Sequence, residues 1–117
     1  MSARGEDAEN RAGAFLQRAG LKLVARNYHC RFGEIDLIVR DGNTLVFVEV
    51  RMRSSDRFGG AAASITPAKR TRLLRAARHY LANLARPPAC RFDALLVNGK
   101  DHTIECLKNA IEERGSP

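Results

Sequence analysis

The clearest chemical signal is an Asp, a Glu and an Arg in the spacing D-x12-E-x-R: Asp36, Glu49 and Arg51. Each acid sits inside an alternating apolar run, Glu34 to Arg40 and Leu45 to Arg51. Alternation of that kind predicts half-buried strands. Asp41-Gly42-Asn43-Thr44 between them is hairpin turn chemistry. A two-residue Gly42-Asn43 turn sets Asp41 opposite Thr44, Arg40 opposite Leu45, Ile38 opposite Phe47, Asp36 opposite Glu49 and Glu34 opposite Arg51. Side chains alternate along a strand, so Glu34, Asp36, Glu49 and Arg51 share one face. Ile35, Leu37, Val39, Val46, Val48 and Val50 make the other, a core face.

Directly opposed strand residues have Cβ atoms about 4.5–5.5 Å apart, and like charges there repel. Asp36 and Glu49 form such a pair beside Ile38 and Phe47, which partly desolvate it. A divalent cation would compensate the repulsion, and hard oxygen ligands suit Mg²⁺ or Mn²⁺. The competing reading is that Arg51 and Arg53 neutralise the acids as cross-strand ion pairs, Glu34 opposite Arg51 above all.

Other elements must position this hairpin. Ala8, Ala12, Phe15, Leu16 and Ala19 recur at helical spacing and predict a helix over about residues 6–19, stopped by Gly20. Leu21 to Tyr28 reads as a strand. After the hairpin comes a loop from Arg53 to Ile65, long for a compact domain. Thr66 and Pro67 open a second helix as cap and first helical residue. It runs to about Ala85, before Pro87 and Pro88. Phe92 to Val97 and His102 to Leu107 read as strands around an Asn98-Gly99 turn, and the tail from Ala110 as frayed. The order predicts one domain over residues 1–117, an α/β (α+β) fold with a small mixed sheet and helices packed on it.

The charge is strongly positive: 20 Lys and Arg against 13 Asp and Glu, net +7, with a pI near 10.0. Between Asp56 and Asp93 there is no acid, but there are Arg57, Lys69, Arg70, Arg72, Arg75, Arg78, Arg86 and Arg91. On the second helix Leu73, Ala77, Tyr80, Leu81 and Leu84 fall on one side, with Arg72, Arg75, Arg78 and His79 opposite. His79 reads as solvated. Uncompensated like charges favour a polyanion over a merely solvated face. Arg53, Arg57, Lys69, Arg72, Arg75 and Arg78 are the candidate nucleic-acid contacts, with DNA as the first candidate. Aromatic residues are sparse and disfavour readout of single-stranded bases. No nucleotide-binding glycine motif and no serine-nucleophile motif is present. Cys30, Cys90 and Cys106 form no C-x-x-C pair, which argues against disulfides and a zinc ribbon. No apolar run approaches the roughly 20 residues of a membrane span, and no signal peptide opens the chain. The expected location is cytoplasmic, with no membrane partner.

Gly33-Glu34-Ile35-Asp36-Leu37-Ile38 and Phe47-Val48-Glu49-Val50-Arg51 resemble the YraN family. So do Ala8-Glu9, Asn27, Phe58-Gly59, Thr66-Pro67-x-Lys69, Ala77, Tyr80-Leu81 and Arg91-Phe92-Asp93, so that the resemblance covers about residues 8–107. That family is similar to small PD-(D/E)XK nucleases, related to archaeal Holliday-junction resolvases. The resemblance implies a restriction-endonuclease-like fold, with an antiparallel hairpin flanked by helices. It also implies a metal-dependent endonuclease, structure-specific on branched DNA. Asp36, Glu49 and the Val50 carbonyl would hold Mg²⁺ (or Mn²⁺), and Glu9 would face the site from the first helix. Arg51 stands where the superfamily has lysine. Arginine cannot be deprotonated in a protein, so Arg51 can orient and stabilise a phosphate but cannot serve as a base. Lys69 is a candidate replacement. A homodimer follows by analogy alone. Two other functions stay open: a non-catalytic nucleic-acid-binding module on a degenerate nuclease fold, and an interaction protein with ordinary ion pairs in its hairpin.

Overall fold

The computed structural model describes residues 3–53 and 66–110. The expected loop between Arg53 and Ile65 and the tail beyond Ala110 lie outside the described residues. The elements are α1 (Ala3–Arg18), β1 (Lys22–Cys30), β2 (Gly33–Asp41), β3 (Thr44–Arg53), α2 (Pro67–Leu81), β4 (Cys90–Asn98) and β5 (Ile104–Leu107). The five strands form one sheet in the order β1-β2-β3-β4-β5. β1, β2 and β3 are an antiparallel meander, β4 runs parallel to β3, and β5 runs antiparallel to β4. The mixed sheet flanked by two helices is the expected fold class.

Each helix covers one sheet face. Ala12 and Leu16 of α1 pack on Leu37, Val39, Val46, Val48 and Leu95. Leu73, Ala76 and Ala77 of α2 pack on Ile35, Ile38, Leu45, Phe47 and Phe92. The carboxylate face of the hairpin is therefore also a core face farther along, beneath α2. A parallel strand pair with its crossover helix requires that cover.

Several boundaries differ from the sequence reading: α1 starts at Ala3 and not at about residue 6, β1 runs on to Cys30, and β4 starts at Cys90. α2 ends at Leu81, not Ala85: Asn83 and Leu84 donate backbone N–H groups to Tyr80 and Leu81, and the Asn83 amide caps the His79 carbonyl at 3.2 Å. Such three-residue bonds tighten and stop a helix before any proline is reached. β5 starts at Ile104, because Asn98 and Asp101 side chains hold Lys100, Asp101 and Thr103 in a turn through His102, at φ 63°. Ala19 is exposed, one residue past the end of α1.

The feature that shapes the cleft described below is a break in both β1 and β2. Arg26 pairs with Leu37, and Tyr28 pairs with Ile35. Arg26 hydrogen-bonds Asn10 of α1, and Leu37 lies in the α1 core. Tyr28 and Ile35 instead lie on the α2 side. Residues two apart should share a face, so both strands lose their alternation at the step between, where Asn27 lies across from Asp36. Asn27 has φ 51°, a left-handed conformation that Asn tolerates better than most residues. The sequence expectation of Ile35 and Leu37 on one face is corrected accordingly.

Gly33, at φ 152°, lets the start of β2 lie against α2. A Cβ there would sit 3.3 Å from Arg72 Cβ and 3.4 Å from the Arg72 carbonyl oxygen. Gly33→Ala is expected to combine backbone strain with this tight approach and to cost about 1–2 kcal/mol. Urea unfolding checks it, and an unchanged midpoint would mean that α2 can retreat freely.

Candidate active site

The β2–β3 ladder ends at the Leu37↔Val48 pair. Beyond it the Asp36 side chain substitutes for backbone: its Oδ2 accepts the Val50 N–H at 2.8 Å. Asp36 and Glu49 still meet, because β2 and β3 part only one residue earlier. Glu49 is buried, with 7% of its surface exposed. Burial, then the Glu49 charge, then those of Glu9 and Glu34, push the Asp36 carboxyl up from 3.8 to about 7, against the pull of the Val50 N–H. Glu9 of α1, itself 7% exposed, is thus close enough to Asp36 to act on it electrostatically.

Two cations reach Glu49 Oε1: Lys69 Nζ at 3.2 Å and Arg51 Nη1 at 3.5 Å. Lys69 gets there through the α2 cap. Thr66 Oγ1 accepts the Lys69 N–H at 3.2 Å, which fixes the first helical turn over the sheet. A cleft of about 280 Å³ opens between sheet and helix, lined by Gly33, Glu34, Asp36, Glu49, Lys69, Arg72 and Leu73. Asp36, Glu49, Val50, Arg51, Lys69 and Arg72 are thus brought together. Arg75 and Arg78 lie farther along α2, both exposed. Arg57 and the side chain of Arg53 lie outside the described residues.

Glu34 is placed differently from the sequence reading. Because the ladder has already ended, it does not oppose Arg51; it pairs with His29 of β1 at 3.3 Å. His79 is not simply solvated, since the Tyr28 hydroxyl hydrogen-bonds its Nδ1. The acid-free stretch is also less unpaired than it reads. Arg91 Nη1 bonds Asp41 at 3.0 Å, and Arg91 Nε bonds the buried Asp93, 3% exposed, at 3.2 Å. Asp93 also accepts the Asn109 N–H at 3.0 Å, tying the segment after β5 to β4. The only hint of this clasp in the sequence is the Arg91-Phe92-Asp93 spacing, which puts both charges on one strand face.

Among the described residues no group of three or more His, Cys, Asp or Glu side chains is arranged to hold a metal ion. The available donors are two carboxylates and a carbonyl. A residue in an extended strand turns its N–H and C=O to the same neighbour. The Val50 N–H points to Asp36, so its carbonyl faces the same side. Mg²⁺ accepts so sparse a set because it keeps several waters. The donor chemistry and the charge repulsion at Asp36 therefore fit a hard divalent cation.

A five-stranded sheet between two helices, with paired carboxylates and a lysine in a polar cleft at the strand break, defines a small α/β protein. The chain belongs to the uncharacterised protein family UPF0102, the YraN family, whose model matches residues 8–97. It is 61% identical over 111 residues to a UPF0102 protein of Nitrosomonas europaea, covering 94% of each chain. A UPF0102 protein of Cupriavidus taiwanensis is 59% identical over 112 residues, 94% of this chain and 83% of the relative. One from Psychromonas ingrahamii is 46% identical over 112 residues, 96% and 92% of the two chains. The three cysteines are free thiols, and among the described residues no helix is long and apolar enough to cross a membrane.

Proposed function

We propose that this protein is a metal-dependent endonuclease of the PD-(D/E)XK superfamily that hydrolyses DNA phosphodiester bonds, with branched DNA as the favoured substrate and the cytoplasm as its location. The observation that carries the reading is the Asp36–Glu49 pair, held in one cleft with Asp36 raised to about 7. An ionisable group so perturbed in a cleft is a functional-site candidate. Asp36, Glu49 and the Val50 carbonyl are the proposed holders of Mg²⁺ or Mn²⁺. The cation's contribution, when bound, is to polarise a phosphate oxygen and acidify the attacking water.

The chain's own groups have separate tasks. Arg51 and Arg72 flank the acids and suit phosphate oxygens, which they hold by forked hydrogen bonds. Lys69 is the one cleft cation that can both give and take a proton, which Arg51 cannot. It is the natural candidate to protonate the leaving oxygen or to shuttle the water's proton. Arg75 and Arg78 extend the positive surface along α2 and supply affinity without sequence choice.

A second reading is a non-catalytic nucleic-acid-binding module. The ion pair of Lys69 with Glu49 at 3.2 Å favours it, since this contact already gives one acid a positive partner. Incubation with linear, nicked, flapped and four-way-junction DNA in Mg²⁺, Mn²⁺ or EDTA separates the two. Cleavage that needs the divalent ion is the expected result. Salt-dependent binding with no cleavage in any metal would instead select the binding module.

A further inference from the structure

The chain has only 7 Phe and Tyr residues and no Trp, yet most of them meet along one line. Phe92 stacks on Phe47 with ring centroids 5.2 Å apart. Phe47 meets Tyr80 edge-on at 6.1 Å, and Tyr80 meets Tyr28 edge-on at 5.2 Å. Tyr28 hydrogen-bonds His79, whose ring centroid lies 6.0 Å from that of Phe32. The Arg31 guanidinium lies over the Phe32 ring at 4.9 Å. The series starts in the core beneath α2 and ends at the surface, where Arg31 and His79 are exposed and Phe32 is half-buried.

That outer end adjoins the cleft. Arg31 and Phe32 form the β1–β2 connection and lead into Gly33, which lines the cleft and rests against Arg72. Arg72, Arg75 and His79 follow one another along α2 at three- and four-residue spacing, as a single stripe. Arg31, Arg72 and Arg75 outnumber the nearby acid, Glu34, whose carboxylate lies 3.3 Å from the His29 imidazole.

We infer that Arg31, Phe32 and His79 form a stacking platform for an unpaired nucleobase of the nucleic acid whose phosphates Arg72 and Arg75 hold. Bases stack on aromatic rings and on guanidinium planes alike. A guanidinium over an aromatic face is attracted to it, and Arg31 is exposed and so open to a further partner. The aromatic series behind it fixes Phe32 and His79, as a recognition site requires. Bases inside an intact duplex are sealed in their own stack. Only a gap, a flap or an opened junction presents a base to this surface, so the platform selects DNA by structure and not by sequence. The inference reverses the expectation that single-stranded bases go unread: the aromatics are scattered in sequence and converge only in the fold. It rests on the nucleic-acid reading proposed above and gives that site its selectivity.

Fluorescence anisotropy in EDTA, where nothing is cut, tests it with a blunt duplex and the same duplex carrying a short single-stranded gap. The wild type should prefer the gapped probe. Phe32→Ala should lose about tenfold in affinity for the gapped probe and little for the duplex, while Phe32→Tyr retains the preference. Equal affinity of Phe32→Ala and wild type for the gapped probe, or an equal loss on both probes, overturns the platform. Should Phe32→Ala fail to fold, Arg31→Ala changes an exposed side chain and must show the same selective loss. A wild type that binds neither probe overturns both the platform and the nucleic-acid reading. Selective loss in a protein that cuts nothing in any metal leaves the platform standing and removes only the hydrolytic step.

Discussion

Asp36→Asn and Glu49→Gln should each lower the single-turnover rate of Mn²⁺-supported DNA cleavage by about a thousandfold or more. Each removes one of the two anionic oxygen donors proposed for the cation, and a factor of ten in rate corresponds to about 1.4 kcal/mol of barrier. Binding measured in EDTA should change little, because phosphate contacts come from the basic residues, not the acids. Lys69→Met should fall between these extremes, at about a hundredfold, the usual size of a lost general acid or base. Its Nζ sits 3.2 Å from Glu49, so the same change also leaves that buried acid with one cation fewer. Cleavage within about threefold of wild type in both acid variants would remove the site from the reaction.

The second large effect is on stability and follows from the Asp36 carboxyl at about 7 in the folded protein, against an ordinary 3.8. A raised value means that the native state binds the proton more tightly than the unfolded chain does. The stability contribution of this group is therefore fully present below pH 3.8 and lost as pH rises through about 7. Asp36→Asn never ionises, and its side-chain oxygen can still accept the Val50 N–H. The variant should be more stable than wild type in EDTA, and the gap should widen by about 2 kcal/mol between pH 5 and pH 8. Urea unfolding at the two pH values measures it, and a gap that narrows toward pH 8 would contradict the repulsion at the site. The two results are linked. A variant that gains stability while losing cleavage has lost function at the cleft and not through unfolding. Residues that trade stability for chemistry behave in this way.

Much of this was legible in the sequence because local rules decide it. The Gly42-Asn43 turn fixes the hairpin register, and the observed Asp41↔Thr44 and Ile38↔Phe47 pairs follow from it. Thr66 and Pro67 announce the start of α2, and its amphipathic pattern tells which side packs. What stayed hidden depends on contacts between distant segments. The parting of β2 from β3 comes from a side-chain oxygen taking a backbone N–H, which no periodicity records. The left-handed Asn27 on the neighbouring strand carries the same break across the sheet. The neutralisation of Arg91 requires the Asp41 turn to lie beside β4, which only the parallel β3–β4 pairing brings about. Glu34 could be given to Arg51 only while the ladder was assumed to continue.

The hairpin turn carries a constraint of its own on how this chain can vary. Surface turns are where insertions and deletions are ordinarily tolerated. Here the turn sets which β3 residue stands across from which β2 residue, and a slip of one position moves every side chain to the opposite face. One residue more or fewer between Asp41 and Thr44 would turn Glu49 out of register with Asp36 and set a valine in its place. The length of that turn is therefore as much a part of the cleft as the two acids, although no atom of the turn lines it.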